Sequence, residues 1–202
     1  IYVFHMPCFI LITGYFAKYV KNMDKAKIKY ILLYLALSAA LWPFSGYGLM
    51  SVLVSAYSLS WYLVSLYFWY VLLPIFQRLK YPVLIALLIS LTVGYFSSWE
   101  TLFSASRTVV FFPFFLIGHK LNKDHFNQLI TLKPEYAAVA LLSIYAIISL
   151  FPFDPNWFFG SQSYLSLGWE NSFAALCRIG IYLLSSVAII GFLVIVPRRS
   201  LF

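Results

Sequence analysis

The chain has 202 residues, of which 63% are hydrophobic, 21% aromatic and only 10% charged, with a mean hydropathy of +0.88. Roughly a quarter of a water-soluble domain is charged, and a globule of about 200 residues still leaves a quarter to a third of its chain's surface in water. A soluble enzyme, a disordered tail and a disulfide scaffold are therefore excluded, and lipid is the expected solvent for most of the chain.

A spanning helix needs about 20 mostly apolar residues, within a range of about 17–25. Seven segments qualify as candidates: Ile1 to Phe16, Tyr30 to Trp42 (ended by Pro43 and extended by the softer stretch after it), Trp61 to Phe76, Pro82 to Phe96, Thr108 to Leu121, Tyr136 to Phe151 and Ser172 to Val196. Between the second and third, Ser45 to Ser60 is rich in serine and glycine. It reads as a loop, a re-entrant piece or a short helix in the interface. Pro113 falls one and a half turns into the fifth segment, where a proline frees a backbone carbonyl and bends the helix. No internal repeat is visible. The start at Ile1, inside an apolar run, and the stop at Phe202 suggest an internal piece of a longer membrane protein.

Loop charges give the orientation. Lys18, Lys21, Lys25, Lys27 and Lys29 follow the first segment, and Arg78 and Lys80 follow the third. Lys120, Lys123 and Lys133 follow the fifth, and Arg198 and Arg199 the seventh. If the seven segments alternate, every basic residue except Arg107 and Arg178 falls on one side, which the positive-inside rule makes cytoplasmic. The same rule accounts for the net charge of +8 without nucleic acid. Glu100, Asp154 and Glu170 fall in the other loops. Cys8 and Cys177 lie far apart in apolar segments and read as packing residues.

An ionisable group at the bilayer centre costs at least ~2.5–3.5 kcal/mol, so His5, Arg107 and Arg178 are the first candidates for function. With Trp61, Tyr62 and Glu170 they lie toward the outer ends of their segments and can form an outward-opening polar cluster. Each has a structural alternative. His5 can bond a backbone carbonyl, and Arg107 can snorkel to headgroups. Arg178 can pair with Glu170 or Asp154, and Trp61 and Tyr62 can belong to an interfacial aromatic belt. His119 and His125 are expected to be solvated in the basic loop. There is no metal-binding motif, no Gly-rich phosphate loop and no nucleophile elbow. A histidine base with a cation to steady developing negative charge would suit acyl transfer to a hydroxyl.

Phe4-His5-Met6-Pro7 followed by Ile12-Thr13-Gly14-Tyr15-Phe16 resembles the "FHMP…SGYF" helix of the membrane acyltransferase-3 family, in its fucose 4-O-acetylase-like branch. Thr13 stands where that branch has serine. Trp61-Tyr62-Leu63 resembles its Trp-Phe-Leu. Ser106-Arg107-Thr108 with Phe111-Phe112-Pro113-Phe114-Phe115-Leu116-Ile117-Gly118 resembles its "SRT…FFPFFLLG" helix, and Pro197-Arg198-Arg199 resembles the basic turn before its last helices. The resemblance implies an all-α polytopic bundle with about seven of ten helices present, the family's first and last helices lying outside the chain. It implies an O-acetyltransferase of the cell membrane, multi-pass and bacterial. Such an enzyme moves an acyl group from acetyl-CoA to a sugar, glycan or peptidoglycan hydroxyl, without a metal. On that resemblance His5 and Arg107 are catalytic, His5 as base or orienter and Arg107 at the oxyanion. Trp61, Tyr62, Arg178 and Glu170 bind substrate. A transporter or flippase for a glycan precursor, and a scaffold without chemistry, are the rival classes.

Overall fold

The computed structural model describes residues 3–55, 60–97, 104–150, 154–169 and 173–196, apart from the side chains of 49, 54, 55 and 130. The described residues form ten helices and no strand: α1 (His5–Ala17), α2 (Met23–Ser45), α3 (Leu49–Ser55), α4 (Ser60–Gln77), α5 (Pro82–Val93), α6 (Ala105–Lys120), α7 (Lys123–Ile130), α8 (Pro134–Leu150), α9 (Asn156–Phe159) and α10 (Phe173–Ile195). Each of the seven apolar segments holds a helix within its described residues. By length and composition, α2 and α10 can cross a membrane, while α1 and α5 are shorter apolar helices.

Two differences from the sequence reading have clear physical causes. The second helix begins seven residues before Tyr30, because Asn22 caps it: its side chain accepts from Lys25 N at 3.0 Å. Asp24 in the first turn pairs with Lys27 at 3.0 Å. Lys25, Lys27 and Lys29 thus lie on a helix, not in a loop. As the softer stretch after Pro43 suggests, the same helix extends past that proline; it stops at Gly46, whose φ of 69° ends it in the left-handed conformation. The polar stretch after α6 holds α7, where Asn122 and His125 form a reciprocal cap; Asn122 N donates to His125 Nδ1 at 3.0 Å. Of the readings for Ser45 to Ser60, the short helix is the one found, as α3.

Contacts fix the helix directions. Ser65 of α4 bonds Thr108 near the start of α6 at 2.6 Å, and Gln77 at the end of α4 bonds His119 at the end of α6 at 2.8 Å. Lys18 Nζ, just past α1, donates to the Leu121 carbonyl just past α6. Tyr182 of α10 donates to the Val110 carbonyl at 2.7 Å, whereas Leu193 lines a cleft with Leu121. So α1, α4, α6 and α10 run the same way. The opposite sense holds for α8, since Gly191 near the end of α10 packs on Ala137 and Leu141 near the start of α8. The described lysines after α1, α4 and α6 therefore gather at one end.

At the centre is α6, packed on α1, α4 and α5, with Val110 through Leu116 buried. Trp69, Leu73 and Phe115 are fully buried around it. Pro113 has no N–H for the carbonyl four residues back. Beside that gap, Thr108 O receives the Trp69 indole N–H at 2.8 Å and Val110 O receives the Tyr182 hydroxyl. The proline-bearing helix is thus held from two sides by side-chain donors. Glycines set the α1–α6 crossing: Gly14 faces the Phe115 backbone and Gly118 the Leu11 backbone. In lipid, helices associate through such close approach and through hydrogen bonds rather than through hydrophobic burial. Gly14 and Gly118 are also the glycines of the two most specific motifs in the sequence.

Candidate functional site

The end of the bundle opposite the lysines holds the first turns of α4, α6 and α10, together with residues 154–169; the head of α1 lies deeper, where Val3 O accepts from Ser185 Oγ at 2.6 Å midway along α10. Trp61, 8% exposed, opens α4. Its ring lies 5.9 Å from that of Phe111, and the guanidinium carbon of Arg107 stands 5.3 Å above it. Arg107 occupies the first turn of α6, half-buried, and its Nε is buried without a hydrogen bond to a described residue. Just before it, Ser104 takes the left-handed conformation, with φ of 50°, which a non-glycine residue adopts at a cost. Its carbonyl accepts from Thr108 N at 3.0 Å and from Thr108 Oγ1 at 3.2 Å. Ser106 Oγ donates to Gly160 O at 2.8 Å. The head of α6 is therefore tied to α4 through Ser65 and to the 154–169 segment through Ser106.

Tyr62 is spent on packing. Its hydroxyl shares a 2.6 Å hydrogen bond with Thr13 Oγ1, which itself bonds Phe9 O at 2.8 Å. Its ring sits against Phe9, Trp61 and Trp69. It staples α1 to α4. His5 is exposed at the first position of α1 and makes no hydrogen bond with a described residue. The structure brings Arg107 to Trp61, but no described contact joins His5 to either. Glu170 lies outside the described residues.

Arg178, near the start of α10, is 2% exposed. Its Nη1 donates to Trp157 O at 2.8 Å, and its guanidinium carbon lies 5.4 Å from the Trp157 ring and 5.6 Å from that of Tyr164. Asp154 is exposed and accepts from Asn156 N at 2.9 Å, so of the two partners considered for Arg178 it is not Asp154 that pairs, and Glu170 lies outside the described residues. Sequence reasoning missed Trp157 and Tyr164. The available signal was a run of aromatic residues in the short connection before an intramembrane arginine.

The basic end differs from expectation. His119 is half-buried in the last turn of α6, bonded to Gln77, rather than solvated. His125 is exposed but caps α7. Cys8 is buried and Cys177 half-buried, both as free thiols. A cleft of about 450 Å³ opens here between α1, α6, α7 and α10. Apart from His125, Gln128 and Ser186 its walls are apolar, so it holds little means for chemistry. Among the described residues no group of three or more His, Cys, Asp or Glu could hold a metal ion.

No protein-family model, curated protein or solved structure matches this chain.

Proposed function

We propose that this chain belongs to an integral membrane O-acyltransferase, which moves an acetyl group from acetyl-CoA to a hydroxyl of a sugar or cell-surface glycan in a bacterial cytoplasmic membrane. The seven apolar helices cross that membrane, with the lysine-bearing end in the cytoplasm. The observation that carries the reading is the placement of Arg107. A half-buried guanidinium over an indole, with one nitrogen free of hydrogen bonds to described residues, is a donor held ready for negative charge. The motif resemblance gives that donor its chemistry.

In this mechanism the acceptor hydroxyl attacks the thioester carbonyl carbon. Arg107 steadies the oxyanion of the tetrahedral intermediate, and Trp61 fixes its guanidinium and offers a face to a sugar ring. His5, exposed at the head of α1, takes the hydroxyl proton. The carbon–sulfur bond then breaks, and the departing thiolate takes a proton back. Fixed donors of this kind are worth about 10²–10³ in rate when removed one at a time.

The test supplies membranes containing the protein, or its Arg107→Ala variant, with radiolabelled acetyl-CoA and a crude glycan and lipid extract. Alkali-labile product is then counted. Label that requires both the protein and Arg107 supports O-acyl transfer. No label from folded protein across several acceptor pools removes the reading, and substrate flux, the transporter alternative, is measured next.

A further inference from the structure

A guanidinium has five N–H donors in a planar fork. In Arg178 one edge is used: Nη1 bonds the Trp157 carbonyl. The adjacent Nε and Nη2 are buried and make no hydrogen bond with a described residue. These two nitrogens form the side-on edge of the fork, whose parallel donors match two oxygens of one carboxylate or phosphate. A group this deeply buried is costly without a counter-charge. Among the described carboxylates, Asp154 is exposed and engaged with Asn156. Asp24 pairs with Lys27, and Asp124 and Glu135 open α7 and α8 at the basic end.

The edge is also fixed in place. The guanidinium lies against Trp157 and Tyr164, whose rings stack at 5.8 Å. Tyr164 is pinned to the end of α5 twice, by its N–H to Gly94 O at 2.7 Å and by its hydroxyl to Leu91 O at 3.1 Å. Trp169 closes edge-on over Trp157 at 6.1 Å. A donor pair held in advance by packed neighbours loses little freedom when an anion arrives.

We propose that Arg178 forms an oxyanion site separate from Arg107, in which the Nε–Nη2 edge binds two oxygens of one carboxylate or phosphate group between residues 154–169 and α10. The site stands whether or not the chain transfers acyl groups. The ligand is an acidic sugar if a carboxylate is preferred, and a lipid headgroup or sugar phosphate if a phosphate is.

Purified protein in detergent is titrated with glucuronate and, separately, with glycerol 3-phosphate. Ionic strength is held constant with chloride, and the thermal unfolding midpoint is followed. One of the two raises the midpoint saturably, and which one identifies the source. Arg178→Lys keeps the charge but not the fork, and weakens the apparent affinity at least about tenfold, as loss of one charged hydrogen bond requires. Three results overturn the site. Neither compound gives a saturable shift, or Arg178→Lys responds like the wild type. The third is that Glu170→Gln lowers the midpoint as much as Arg178→Lys and the double variant no further, which means the chain satisfies its own arginine. If Arg178→Lys does not fold, tryptophan fluorescence decides. A ligand-dependent change present in the wild type and lost in Trp157→Phe supports the site, and a change that survives in Trp157→Phe overturns it.

Discussion

Gly14 of α1 and Gly118 of α6 lie where the two helices cross, each turned to the other's backbone. A methyl group on Gly14 would strike the Phe115 carbonyl, and one on Gly118 would strike the Leu11 carbonyl. Neither obstacle is a side chain that can swing aside.

Replacing either glycine by alanine should therefore destabilise the bundle by about 1–3 kcal/mol, the usual range for overpacking. Gly180 of α10 has nothing within 4 Å of its missing methyl. There the same change removes only glycine's helix penalty and should stabilise by about 0.5–1 kcal/mol. Thermal unfolding of the three variants in detergent checks this, and equal effects at Gly118 and Gly180 would contradict it.

Tyr182 supplies a hydroxyl to the Val110 carbonyl beside Pro113. Tyr182→Phe keeps the ring and removes one hydrogen bond to that buried carbonyl, which costs about 0.5–1.5 kcal/mol. Denaturant titration should show a lower midpoint with an unchanged slope. A stability equal to wild type would mean that water or a backbone shift replaces the bond.

The two catalytic candidates should respond differently. His5→Ala is expected to lower acetyl transfer by about 10²-fold or more if His5 moves the proton, with little change in stability because its side chain is exposed. Arg107→Lys retains charge but loses the planar contact with Trp61, and should lose most of the activity. Unchanged transfer by normally expressed His5→Ala protein removes that residue from the mechanism.

The shared end of the bundle can be read by labelling. After Cys8 and Cys177 are replaced, single cysteines at Lys21, Lys80 and Lys123 should all react with a membrane-impermeant reagent from one face. A cysteine at Asp154 should react from the other. A split among the three lysine positions would break the seven-span arrangement.

Much of this was legible in the sequence because lipid imposes one strong constraint. Apolar runs such as Pro82 to Phe96 must be helices, and lysines after alternate runs order them. What escaped lay outside the apolar runs. The first two turns of α2 carry three lysines and depend on the Asn22 cap, a local signal that a hydropathy window dilutes. Helix α7 is short and polar, held by Asn122 and His125. The candidate site was half legible. Arg107 and Arg178 stood out as cations in apolar helices, but their partners Trp61 and Trp157 come from other segments. Only the fold shows which aromatic ring meets which cation. Tyr62 looked free for a ligand because nothing local predicts a bond to Thr13 in another helix.

The helices are not equally embedded. Among the long helices with several contacts, α2 leans only on α4 and α8 only on α10, while α6 is enclosed by α1, α4 and α5. The arrangement resembles a row with loose outer members and a clamped middle. Under rising denaturant or mechanical pull, α2 and α8 should peel away first as independent units. The Trp69–Phe115 layer should be the last structure to melt, and amide exchange should be slowest along Val110 to Leu116. Loss of the outer helices would then leave the Arg107–Trp61 pair standing.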